Sequence, residues 1–452
     1  MNRRLTLASS VAGAVLVALD GTVLTVAQPS LQRSLGASFA EVQWTSTAYL
    51  AVVAGLLVFA GRLGDRYGHG RMFALGMLGF GAASAGIALA PDIGWVIGLR
   101  VAQGVCGAVL QPATLGMLRL AYPADRLAMP LAVRTSAIGL AAAAGPLLGG
   151  ALVSGPGWRA VFLLGVVPAL VFGTAALMGG APAQGAAAPP GPSLDLPGAL
   201  LLALTLAILV HGLVASGAVM AAGLGVAALA GAAFVRRERR AAAPLLPLGV
   251  IGSTPVAAAL GILVAASAAL FGTLFVETYV LQRDLGLDPF QSALRSVPLA
   301  VMMVASAPCC PVFLRRVGAR WTVGAATALL AAGGLVLSGA TGTSALGCAF
   351  ALLGAGFGTV MVAATHVVVR QSEVTAAGVA GGLQQTALNI GPVLGVAAAT
   401  ALMGAGPRAA LLVLAAVAAA AVPLARLLPG HRVASLTRSA DDGVLDGDHA
   451  PR

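Results

Sequence analysis

The sequence predicts an all-α polytopic membrane protein, and three observations carry that prediction. Of the 452 residues, 59% are hydrophobic and 9% are charged, whereas a soluble domain carries about 25% charged residues. The apolar residues fall into runs of about 20, the length a helix needs to cross the hydrocarbon core. The charges between these runs lie mostly on one side, as they do when basic loops stay with the cytoplasm.

Taken in order, the runs lie near 6–28, 45–61, 72–90, 94–118, 131–153 and 159–178. A break rich in Pro, Gly and Ala follows, and then two runs near 198–214 and 217–235. After Arg236-Arg237-Glu238-Arg239-Arg240 come six more, near 255–280, 290–313, 321–339, 344–369, 375–403 and 408–428. This reading gives 14 spans, divided as a six-helix half (1–178), a linker with two inserted helices (179–240), a second six-helix half (241–429) and a disordered polar tail (430–452). An even count places both termini on one side. With the N-terminus inside, the outer loops hold only Arg33, Arg159, Arg283 and Arg408, and Arg100, Arg134 and Arg295 fall within spans. The remaining Arg are internal, so both termini are expected in the cytoplasm. Arg134 and Arg295 lie in first turns, from which a long side chain can snorkel to the interface.

Several function classes are set aside by composition. The net charge of +11 is scattered singly between apolar runs, so topology accounts for it better than nucleic-acid binding. Cys106, Cys309, Cys310 and Cys348 lie in or beside apolar runs, without metal-site or disulfide spacing. The sequence shows no nucleotide-binding loop and no nucleophile–base arrangement, so no enzyme and no cofactor are expected.

The most organised stretch is Gly61-Arg62-Leu63-Gly64-Asp65-Arg66-Tyr67-Gly68-His69-Gly70-Arg71. Its Gly residues permit a sharp turn, and Asp65 with the Arg side chains can tie two helix ends together through charge-assisted hydrogen bonds. An offset of 250 aligns Pro311–Gly318 with Gly61–Gly68, so that Arg316 and Gly318 match Arg66 and Gly68 while Arg315 replaces Asp65. Two acids lie within spans, Asp20 and Glu277. Each costs about 2.5–3.5 kcal/mol on insertion scales and therefore needs a reason to be there. Asp20 and Arg100 both lie about 9–12 Å below the outer face by helical rise, so they can form an ion pair. Positions 100, 103, 107 and 111 share one helix face, which is polar and Gly-containing and should line a cavity. Glu277 lies near the outer end of its span, where it can meet a cationic substrate or sit solvated at the interface.

The stretch G-R-x-x-D-R-x-G-x-x-R, with Gly61, Arg62, Asp65, Arg66, Gly68 and Arg71 in register, resembles the cytoplasmic loop signature of the major facilitator superfamily. Leu19-Asp20-Gly21-Thr22-Val23 through Pro29 resembles the first-helix motif of its fourteen-span drug:proton antiporters, with Thr25 standing where that branch has Asn. Arg100, Gln103, Gly104, Gly107 and Gln111 resemble its fourth-helix motif. Gly145-Pro146-Leu147-Leu148-Gly149-Gly150, followed by Trp158-Arg159, resembles its antiporter motif. A fainter echo, Gly391-Pro392-Val393-Leu394-Gly395, is preceded by Gln384, Gln385 and Asn389.

The resemblance implies two six-helix halves plus two central helices in the plasma membrane. It also implies proton-driven export of hydrophobic or amphipathic drugs or antibiotics, without a cofactor. Asp20 and Arg100 would couple protons, the Gly61–Arg71 loop would gate the cytoplasmic side, and Gln103, Gln111, Glu277, Gln384, Gln385 and Asn389 would meet substrate. The expected partners are a small hydrophobic molecule, protons and the bilayer. The alternatives are an uptake carrier for a nutrient or siderophore and, ranked lower, a membrane enzyme or sensor that transports nothing.

Overall fold

The structure, a computed structural model, describes residues 2–123, 126, 128–178, 195–215, 217–241, 253–340, 342–370 and 377–429. The expected tail (430–452) and most of the linker after 178 lie outside the described residues.

Among the described residues the chain is helical throughout, with 13 helices long and apolar enough to cross a membrane. The first group comprises α1 (Arg3–Leu35), α2 (Phe39–Tyr67), α3 (His69–Ala88), α4 (Ile93–Ala121), α5 (Ala128–Ser154), α6 (Trp158–Leu163) and α7 (Val166–Met178). The helices α8 (Leu196–Val214) and α9 (Gly217–Glu238) follow. The last group comprises α10 (Thr254–Tyr279), α11 (Pro289–Arg295), α12 (Val297–Ser338), α13 (Thr343–Arg370), α14 (Ala377–Leu402) and α15 (Pro407–Ala421).

Local sequence sets the helix ends. Asn2 caps α1 by accepting from the Arg4 N–H. Ser38 and Glu41 form a reciprocal capping box on α2, Asp92 caps α4 through the Trp95 N–H, and Asp288 caps α11 through the N–H groups of Phe290 and Gln291. Each cap satisfies donors that have no partner within the helix. α1 runs about two turns beyond the apolar run 6–28 and ends at Gly36, whose φ of 63° is left-handed. Asp20 therefore lies nearer the middle of its helix than the apolar run alone implies.

The structure joins two of the 14 expected runs. The runs 290–313 and 321–339 fall largely within α12, a continuous helix except at Gly318, which has φ 82° and ψ 167°. Only one residue departs from helical geometry, so the hydrogen-bonded turns on either side run together. Gly68, the residue that the offset of 250 pairs with Gly318, separates α2 from α3 and also has positive φ, at 93°. The two matched glycines thus share a backbone conformation that side-chain-bearing residues rarely adopt.

Two buried groups, one including Val53, Phe73, Met77, Phe80 and Leu110, the other including Leu24, Leu31, Ile87 and Phe162, lie within α1–α7. A separate core, from Val256 to Leu428, joins α10, α12, α13, α14 and α15. α8 packs where these bodies meet. Leu206 joins Ala51 and Ala54 of α2, with Ile390 of α14 against them, and Val210 joins Val393 and Ala397 of α14. α9 lies outside α8 and is largely exposed. At their shared end Asp195 caps α8 and accepts two hydrogen bonds from Arg237 of α9, at 2.8 and 2.6 Å. Burial opposes ionisation of Asp195, but these hydrogen bonds and the Gly198 N–H outweigh it and hold the carboxyl below its ordinary range.

Candidate functional site: a buried ion pair beside a central cavity

Asp20 and Arg100 meet in the interior of the first group. Arg100 is 1% exposed and donates from Nη1 to Asp20 Oδ2 at 2.6 Å. The same nitrogen donates to Gln103 Oε1 at 2.5 Å, and Nε donates to the Thr45 carbonyl at 2.6 Å. The guanidinium lies over the Tyr49 ring, 4.4 Å from its centroid. Gln103 Nε2 donates to Asp20 Oδ1 at 3.1 Å and to Ser84 Oγ at 2.8 Å, and Ser84 donates back to the Phe80 carbonyl. One network therefore ties α1, α2, α3 and α4 together. A buried ion pair needs further hydrogen bonds to offset its desolvation, and here the Thr45 carbonyl and Gln103 supply them.

The glycines of α4 permit that closeness. A Cβ on Gly104 would lie 2.9 Å from the Tyr49 carbonyl oxygen, and one on Gly107 would lie 2.8 Å from the Tyr49 hydroxyl. α2 can thus bring its ring onto Arg100. α5 packs on α1 in the same way. A Cβ on Gly145 would strike Thr22 Oγ1, and one on Gly149 would lie 2.9 Å from Val23. Pro146 sits inside α5 between these contacts and faces the cavity.

Beside the pair is a cavity of about 1920 Å³ between the two groups of helices. Its walls mix aromatic rings (Phe271, Phe275, Phe350, Phe357) with amides and hydroxyls, including Thr25, Gln28, Ser46, Gln111, Thr365, Gln384, Gln385 and Asn389. Arg100 reaches the wall. Gln103 lies behind it, fully buried in the charge network. Gln384 Nε2 donates to Thr365 Oγ1 at 2.6 Å. Glu277 also lines the cavity, 3% exposed. Burial on that scale excludes the solvated interfacial position. Its Oε2 has no hydrogen-bond partner, and neither has Asn389 Nδ2. Such buried polar atoms cost free energy until a partner arrives.

The cavity extends to the end of the bundle that carries the Gly61–Arg71 turn, where Gly61, Arg62, Asp65, His69, Arg119 and Arg134 line it. Asp65 is 72% exposed at its side chain and accepts from His69 Nε2 at 3.1 Å. Arg66 lies over the Tyr67 ring, Gly68 forms the turn, and Arg71 is exposed. The opposite end is shut by contacts between the two groups. A Cβ on Gly150 would lie 2.7 Å from the Pro289 carbonyl oxygen. The Phe290 N–H donates to Ser154 Oγ, Ser154 Oγ donates to Asp288 Oδ1, and Gln282 Nε2 donates to the Val26 carbonyl at 3.0 Å.

Three of these features have little or no mark in the sequence. Tyr49 is an aromatic residue in an apolar run, Ser84 is a small residue in another, and the α5–α11 contact depends on tertiary placement. Arg134 had a signal: with Ile138, Ala142 and Pro146 it forms an i, i+4 stripe, and all four line the cavity.

The chain resembles proteins that carry compounds out of cells. It is 36% identical over 469 aligned residues to the tetracenomycin C resistance and export protein of Streptomyces glaucescens, covering 98% of this chain and 87% of that one. It is 32% identical to the probable actinorhodin transporter of Streptomyces coelicolor, over 84% of this chain and 68% of the other. It is 29% identical to the multidrug efflux pump LfrA of Mycolicibacterium smegmatis, over 85% and 77%. The Major Facilitator Superfamily profile matches residues 11–395. With that match spanning most of the chain, and a two-body helical fold enclosing a central cavity, the chain belongs to the Major Facilitator Superfamily.

Proposed function

We propose that the chain is a proton-coupled antiporter that exports hydrophobic or amphipathic drugs or antibiotics across the plasma membrane. The observation that carries this reading is the Asp20–Arg100 pair beside the cavity, in a chain whose relatives export or resist antibiotics. The proposed topology has 14 spans, with Gly318 dividing α12 as Gly68 divides α2 from α3, and with both termini cytoplasmic. Residues 1–178 and 241–429 then form the two halves, and 179–240 the insert.

The cavity is open at the Gly61–Arg71 end, so this conformation would be the one that loads substrate from the cytoplasm. The aromatic walls would hold an apolar body, and Gln111, Gln384, Gln385, Asn389 and Glu277 would meet its polar groups. Gln103 would act through Asp20 and Arg100 instead. A proton arriving from outside neutralises Asp20 and releases its hold on Arg100. Neutralising one member of a buried pair changes the balance of forces across α1–α4 by several kcal/mol. That is enough to shift a two-state equilibrium by orders of magnitude. The cycle needs the α5–α11 seal to open and the Gly61–Arg71 loop to close, as rocking-bundle carriers do about a midplane site. No cofactor takes part, because the pH gradient supplies the free energy.

The test is expression in a drug-sensitive bacterial host challenged with tetracenomycin C. The expected result is resistance with lowered cell-associated drug, abolished when the pH gradient is collapsed. Accumulation of the drug would contradict export.

A further inference from the structure

The loop end of the cavity carries charges that the coupling pair does not use. Arg134 of α5 lines the cavity six residues into its helix. Its Nη2 donates to Thr114 Oγ1 of α4 at 3.0 Å, while its Nε is buried without a partner. Among the described residues no acid lies within ion-pair distance of it. A guanidinium at this depth without a carboxylate is costly, and it points to an anion that completes the site.

The surroundings favour the same charge. Gln111 and Arg119 lie eight residues apart on one face of α4, and both line this part of the cavity. Arg62 and His69 also line it, and Asp65, which bonds to His69, is the acid present there. At the closed end the lining acid is Glu277. An acidic group entering from the loop end is drawn toward Arg134 and finds no cationic partner beside Glu277. A cationic group meets the reverse.

Resting on the export reading above, we propose that Arg134, with Gln111 and Arg119, forms a subsite for the acidic group of the substrate, a carboxylate or ionised phenol on an aromatic body. Arg suits this task because its fork of donors keeps Nη2 on Thr114 while other N–H groups remain for the anion. Arg119 at the exposed rim speeds encounter more than it adds affinity, so its contribution falls with salt.

The test uses the full chain in lipid nanodiscs with two dyes that share a xanthene ring, anionic fluorescein and cationic rhodamine 123. Binding is read by fluorescence polarisation. Wild type is expected to bind fluorescein more tightly than rhodamine 123. Arg134→Gln should weaken fluorescein by about tenfold or more, the loss expected for one charge-assisted hydrogen bond, and leave rhodamine 123 unchanged. Arg134→Lys, which keeps the charge, should recover part of the loss and serves as the folding control. Preference of the wild type for rhodamine 123, no fluorescein binding, or equal fluorescein affinity in Arg134→Gln would overturn the subsite. Fluorescein that binds through Arg134 yet is not moved by a pH gradient would defeat the export reading and leave the subsite standing.

Discussion

Arg100 is held on all sides: by Asp20, by Gln103, by the Thr45 carbonyl and by the face of Tyr49. Gln103 is the keystone, since it bonds to both members of the pair and to Ser84. Gln103→Leu removes those bonds and leaves buried polar atoms unpaired, at about 1–3 kcal/mol for each. The expected outcome is a lower thermal unfolding midpoint together with impaired export. An unchanged midpoint would show that the network does not brace the helices. The pair itself was legible in the sequence because two opposite charges at equal depth in apolar runs have few other ways to be stable. The role of Gln103 was not, because a polar face on a helix reads the same whether it meets a cavity or a neighbouring charge. A first-turn position lets Arg134 snorkel to the interface. Its i, i+4 stripe with Ile138, Ala142 and Pro146 marks one helix face, and the packing of α4 and α5 turns that face toward the cavity.

α5 touches α1 along one stretch and α11 at its far end, through Gly145, Gly149 and Gly150. Within a bilayer such packing rests on close van der Waals approach and not on hydrophobic exclusion. A side chain at Gly145 runs into Thr22, two residues from Asp20. Gly145→Val should therefore cost about 1–3 kcal/mol by overpacking and lower the yield of folded protein in size-exclusion chromatography. Wild-type yield and export would show that α1 and α5 separate freely. The small-residue pattern was visible in the sequence, but its partner was not, since composition does not say which helix comes close. The same holds for α8, whose apolar run was plain but whose seat between α2 and α14 was not. The pairing of Gly68 with Gly318 was legible, and both take positive φ. That one residue would leave α12 continuous was not legible, because a run of apolar residues does not reveal a single non-helical dihedral pair.

At the scale of the whole molecule, the cavity opens at the Gly61–Arg71 end and is shut at the other by α5 against α11. Alternating access requires that seal to part. With the native cysteines Cys106, Cys309, Cys310 and Cys348 replaced, the pair Ser154→Cys and Phe290→Cys should cross-link under mild oxidation. Export should then stop and return on reduction. Full export by the cross-linked protein would mean that this contact is not a gate. The helical composition follows from apolar runs long enough to span, and the sequence shows those directly. The conformation does not follow, because both ends of a carrier must be able to open and the sequence is compatible with either state.

The central claim is that proton binding at Asp20 drives export, and the most direct test compares wild type with Asp20→Asn in proteoliposomes carrying tetracenomycin C. Asn keeps the size of the side chain and can still accept from Arg100, while the Thr45 carbonyl and Gln103 continue to hold the guanidinium, so the fold should survive. The account predicts that an imposed pH gradient drives efflux through wild type and that Asp20→Asn inserts normally but gives none. Gradient-driven efflux at the wild-type rate through Asp20→Asn would contradict it.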